Sequence, residues 1–146
     1  MTEEEIIARF HANDNPAITT LGAQIVAYDR PLGRVTLLCN ASRAHCHSVQ
    51  GHPKGGIVQG GFVTGWLDAA MAHACIARSE FAVAVPSLEI KVSFLLPAHP
   101  GVYHAYGWIT RWGKRISFME AELRDEHGTV IARSSSTAAL APLKKD

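Results

Sequence analysis

The stretch from Gly60 to Ala77 is the longest apolar run in the chain, and Asp68 and His73 are its strongly polar interruptions. It falls just short of the roughly 20 residues a membrane span needs. An ionised Asp near mid-bilayer would also be costly. The run therefore predicts a helix, roughly Gly61 to Arg78, inside a water-soluble protein. Its apolar residues occupy every face, the pattern of a helix enclosed by other structure rather than lying on a surface.

What surrounds it reads mostly as strand. Before the run, Gln24 to Tyr28 and Arg34 to Cys39 carry strand patterns, and Asp29-Arg30-Pro31-Leu32-Gly33 supplies a turn between them. Ala41 to Gln59 reads as a loop. After the run, Val83 to Leu96 predicts one long strand, stopped by Pro97. Val102 to Arg111, Arg115 to Arg124 and Thr129 to Ala141 follow, joined by short Gly-containing turns, as in an antiparallel meander. At the other end, Thr2 and Glu5 fit a capping box. Ile6, Ile7 and Phe10 then recur at helical spacing, and Asn13-Asp14-Asn15-Pro16 stops that helix. The expected class is α+β, an antiparallel sheet wrapped around one long helix. At 146 residues the chain predicts a single domain over 1–146, with 1–16 as an N-terminal helix and turn.

Bulk composition removes several function classes. A formal net charge of +1 disfavours a general nucleic-acid binder. The opening Met1-Thr2-Glu3-Glu4-Glu5 lacks the positive start and apolar run of a secretory signal. Cys39, Cys46 and Cys75 are odd in number and form no CxxC pair, which points to a reducing, cytoplasmic setting. His45-Cys46-His47 with His52 resembles a metal cluster at first sight. Zinc sites give clearer ligand spacing, so neither a metal nor another cofactor is expected.

The segment Gly55 to Asp68 carries the chemistry. Gly60-Gly61 stands where the helix begins, so a ligand can approach bare backbone N–H groups. Those first amides lack helical partners and sit at the positive end of the helix dipole. They can hold a developing oxyanion. Asp68 lies about two turns further on, and a carboxylate in apolar surroundings is expensive unless paired or used. A bland reading stands beside each. The glycines can be a tight packing turn, and Asp68 can be a structural residue bonded to Thr64 or to a backbone amide. His73 reads as a satisfied core or interface histidine.

Gln59-Gly60-Gly61 followed by Asp68 resembles the motif of the hot-dog-fold acyl-CoA thioesterases of the phenylacetate-pathway (PaaI-like) type. There a His-Gly-Gly is followed, after six residues, by an acid on the central helix. Ser87 to Pro97, Gly113-Lys114-Arg115 and the turn Asp125-Glu126-His127-Gly128 fit the same family. The resemblance covers about Ala41 to Leu140. It implies a hot-dog fold and hydrolysis of an acyl-CoA to a carboxylic acid and CoA, without a cofactor. Asp68 would be the general base or nucleophile. The Gly60 N–H would polarise the thioester carbonyl, and Ser87, from a partner subunit, would hold the attacking water. Gln59 stands where the family has His; it can donate a hydrogen bond but cannot act as acid or base.

The same resemblance implies an acyl group passing near Gly61, Phe62 and Trp66, and a homodimer or homotetramer with sites at the dimer interface. Lys114 and Arg115 can meet CoA phosphates through charge-assisted bonds, or form a solvated turn. His52 could stand in for a family Asn only if its loop shifts by one residue. Two rivals remain: a non-catalytic acyl-CoA-binding hot-dog protein, and a hot-dog dehydratase, which would need a catalytic His that the motif lacks.

Overall fold

The structure is a computed structural model describing residues 1–144. Helix α1 spans Glu3–Ala12, and Thr2 and Glu5 form the reciprocal capping box that the sequence predicts. A short helix α2, Pro16–Thr20, follows at once, with Asn15 as its N-cap. Pro16 therefore ends one helix by starting another, the position where its missing N–H and fixed φ do no harm.

One six-stranded antiparallel sheet makes up most of the rest. Its strands are β1 Ala23–Asp29, β2 Arg34–Ala41, β3 Ser87–Phe94, β4 Gly101–Trp112, β5 Ile116–Arg124 and β6 Val130–Ala139, in the order β1-β2-β4-β5-β6-β3. The hairpin and the meander stand as the sequence predicts. The long strand from Val83 to Leu96 does not. Val83–Ala84 pairs instead with Ala141–Pro142, and β3 starts anew at Ser87. Between them Pro86, which has no N–H to give, accepts from Ala139 N through its carbonyl.

Helix α3, Gly60–Arg78, packs across the concave face of this sheet. Trp66, Leu67, Ala70, Met71, Ala74 and Cys75 are fully buried there. Truncating a buried Trp or Leu of this kind costs about 2–5 kcal/mol, because the lost contacts leave a cavity. Gly107 sets how closely helix and sheet approach. A Cβ at that position would lie 2.3 Å from the Ala70 carbonyl carbon, so β4 can cross under the helix backbone only with glycine there.

The enclosure is incomplete. Gly61 is exposed, and Thr64, Asp68 and Ala72 are only half-buried. They lie at three- and four-residue spacing, hence along one side of α3. An apolar composition on all faces predicts full enclosure, but within a single chain this stripe of small side chains stays partly open. Beside it runs β3, the edge strand, whose Leu88 and Phe94 are 60% and 56% exposed. No helix among the described residues is long and apolar enough to cross a membrane.

Candidate active site

Asp68 and Ser87 meet at this open side. The Ser87 hydroxyl donates to Asp68 Oδ1 over 2.6 Å, linking the start of β3 to the middle of α3. The two residues belong to the same chain. Thr64 is not the partner of Asp68: its hydroxyl turns back to the Gly60 carbonyl at 2.8 Å.

At the helix start, Gln59 is the N-cap. Its side-chain oxygen accepts from Gly61 N at 2.6 Å. The Gly61 amide is thereby occupied within the chain. The Gly60 N–H makes no hydrogen bond among the described residues. It remains the bare donor at the positive end of α3. The Phe94 ring lies over this glycine, its Cζ 3.2 Å from where a Cβ would stand. Thus β3 runs back along the helix, with Ser87 at Asp68 and Phe94 at Gly60.

Distance separates the two halves of the motif. Asp68 follows Gly60 by eight positions, which is about 12 Å along the helix axis. A water on the carboxylate and a carbonyl oxygen on that amide cannot belong to one small reacting group across such a gap. Within one chain the structure brings together Asp68 with Ser87, and Gln59 with Gly60 and Gly61, but not the one set with the other.

Several of the predicted contacts have partners within the chain. Trp66 is completely buried, donates from Nε1 to the Leu21 carbonyl at 2.7 Å and stacks on Tyr103. Phe62 is half-buried, its ring 4.8 Å from that of His45. His45 itself is fastened at both nitrogens. Nε2 faces the Thr20 carbonyl at 2.9 Å, and Nδ1 accepts from Ser42 N at 3.0 Å. It therefore ties α2 to the loop before α3, which explains its burial. His52 Nδ1 accepts from Lys54 N within a turn. No group of three potential ligands that could hold a metal occurs among the described residues.

Lys114 and Arg115 are exposed in the turn between β4 and β5. The register places this turn at the Asp68 end of the sheet, because Ser87 pairs with Ala138, and Ala138 with Ser117. Two strand spacings, about 10 Å, therefore separate Ser87 from the strand that begins after this turn. The row structure of the sheet, absent from any local motif, is what relates these residues.

Burial raises Cys39 to about 12, and the three cysteines are all free. His73 is buried on α3, as expected of a core histidine, and borders a cavity with Phe10 and Phe81.

Comparison with known proteins agrees with this architecture. The thioesterase superfamily profile matches residues 55–132, a segment holding α3, β3, β4 and β5. A phenylacetic acid degradation-related protein from Ralstonia eutropha JMP134 is similar in structure at 26% identity and a TM-score of 0.81, over 94% of this chain and 99% of that one. A thioesterase family protein from Silicibacter pomeroyi is also 26% identical, with a TM-score of 0.79, over 96% and 98% of the two chains. The PaaI protein of the E. coli phenylacetic acid degradation operon shares the fold at 17% identity and a TM-score of 0.79, over 95% and 96%. No curated protein sequence matches the chain. With an antiparallel sheet around a long central helix and a profile match across more than half its length, the chain belongs to the thioesterase superfamily and has its PaaI-like hot-dog fold.

Proposed function

We propose that the protein is an acyl-CoA thioesterase working as a dimer, in which Asp68 and Ser87 of one copy face Gly60 and Gln59 of a second. The observation that carries this reading is the Ser87–Asp68 hydrogen bond on the open side of α3. A carboxylate held at a half-buried site by a hydroxyl is a base placed for use, and family membership supplies the reaction class. The gap of about 12 Å to the Gly60 amide argues for the second copy.

The edge strand supplies a means. An exposed edge with large apolar side chains asks for a partner. If β3 pairs antiparallel with its twin about a two-fold axis between Ile90 and Lys91, Ser87 stands opposite Phe94 of the second copy. Since Phe94 lies on Gly60 and Ser87 on Asp68, this pairing draws the carboxylate of one copy toward the bare amide of the other. Two equivalent sites result, as an isologous interface requires.

In such a site Asp68 takes a proton from water while the oxygen attacks the thioester carbonyl. The oxyanion forms on the Gly60 N–H. Its collapse breaks the C–S bond, and the departing CoA thiolate receives the proton from Asp68. In the alternative course Asp68 attacks the carbonyl directly, the C–S bond breaks and CoA leaves as a thiolate that takes its proton from water, and the hydroxide so formed then cleaves the resulting anhydride to free acid and the Asp68 carboxylate. Gln59, holding Gly61 with its oxygen, keeps its amide hydrogens for substrate or water. Lys114 and Arg115, at the same end of the sheet as Ser87, are placed to meet CoA phosphates. A CoA substrate implies action in the cytoplasm.

The test is a thiol-release assay across aromatic and aliphatic acyl-CoAs. Equal amounts of free acid and CoA are expected from at least one class. Saturable binding without turnover of any would instead make the chain a non-catalytic acyl-CoA binder. Sedimentation should find a dimer or tetramer at micromolar concentration; a stable, active monomer would contradict the two-copy site.

A further inference from the structure

A half-open cavity of about 450 Å³ lies where α1, α2 and β1 meet the second half of α3, and neither Asp68, Ser87 nor Gln59 borders it. This is within the size range of small-molecule sites. Phe10, Ile18, Ile76, Phe81 and Val83 contribute apolar walls. The Phe10 ring meets His73 edge-on at 5.0 Å and Phe81 at 4.8 Å, so one wall is aromatic.

His73 is the buried polar side chain of this wall, and its hydrogen bonding is unfinished. Its Nδ1 lies 2.7 Å from the Ala69 carbonyl oxygen. A carbonyl oxygen only accepts, so Nδ1 carries the hydrogen. Burial holds the pKa below the ordinary 6.5, so the ring is neutral at neutral pH. Nε2 is then a lone-pair acceptor. No donor among the described residues reaches it, and it is not sealed off as Arg34 Nε is. His73 is about nine-tenths buried and borders the cavity.

The chemistry of the walls selects the ligand. Among the described residues, Asp14 is the one formally charged residue of the lining besides its histidines, and no Lys or Arg lines it. Anions, including a carboxylic acid released by hydrolysis, are therefore disfavoured. An acceptor deep in an aromatic pocket asks for a neutral hydroxyl donor on an aromatic body.

We propose that this cavity is a binding site for a neutral hydroxyaromatic compound, a phenol bearing an apolar substituent, whose hydroxyl donates to His73 Nε2. Asp68 does not line this cavity, so the proposal stands or falls independently of the thioesterase reading.

Calorimetric titration of the intact protein with 4-propylphenol and with 4-propylanisole tests it. The two probes differ in the hydroxyl hydrogen and one methyl group. The phenol should bind about 10-fold more tightly, the factor expected for one buried hydrogen bond. In His73→Leu the two should bind within about 2-fold of each other, the donor having lost its acceptor. On wild-type protein the ¹⁵N resonance of His73 Nε2 should shift with the phenol and not with the ether, a readout that survives if the variant does not fold. Equal affinity for the two probes, no binding of either, or an unmoved Nε2 resonance with bound phenol would overturn the proposal.

Discussion

Ser87 and Asp68 are joined by a 2.6 Å hydrogen bond that ties the first residue of the edge strand to the middle of the central helix. The bond fixes one carboxylate oxygen and leaves the other for a water. It also couples the position of the base to the strand that would make the dimer. Anything that displaces β3 therefore displaces the base.

Gln59 holds two tasks in one side chain. Its oxygen caps Gly61 N at 2.6 Å, and in the proposed site its amide hydrogens face substrate. Gln59→Ala should cost roughly 1 kcal/mol of stability, the usual loss of an N-cap. Its kcat should fall on the order of 10-fold, with an unchanged pH profile, because an amide does not titrate. Denaturant melts and pH–rate curves check both, and a shifted profile would contradict the role.

Arg115 is exposed at the same end of the sheet as Ser87. If it meets a CoA phosphate, Arg115→Ala should raise KM roughly 3- to 10-fold and leave kcat within about 2-fold, the mark of lost uniform binding. The rise should shrink at high salt. An unchanged KM would return Lys114 and Arg115 to a solvated turn.

His73 makes stability depend on pH. Burial lowers its folded pKa below 6.5, while the nearby Asp68 opposes that shift. Below 6.5 the unfolded chain takes up a proton that the folded chain refuses, so stability falls with pH until the folded pKa is passed. Above 6.5 this contribution is constant. Melting curves between about pH 7.5 and pH 5 should show a larger loss for wild type than for His73→Leu. Parallel losses would contradict the linkage.

The α+β frame was legible because strand alternation and an all-round apolar helix are local patterns. The capping box at Thr2 and the turns at Gly33, Gly113 and Gly128 were legible for the same reason. Long-range relations were not. Nothing near Ser87 says that its hydroxyl reaches Asp68, and nothing near Trp66 says that its ring is sealed beneath Leu21 and beside Tyr103. The break at Pro86 carried a local signal, since proline interrupts a ladder. Gly107 carried another, a glycine within a strand pattern. Asp68 stands out by its motif, but its half-open position follows from the small residues Gly61, Thr64 and Ala72 around it, which leave that side of the helix partly uncovered.

Replacing Asp68 by Asn keeps the side chain's shape and its capacity to accept from Ser87, while removing the charge. The variant should fold as well as the parent and still bind acyl-CoA. Its kcat for thioester hydrolysis should fall by roughly 10² or more, the scale of a lost general base. The measurement is steady-state thiol release by Asp68→Asn beside a melting curve of the same preparation. A folded protein with that loss of kcat is the predicted result; a variant that hydrolyses acyl-CoA at the parent rate would show that Asp68 is not the base or nucleophile.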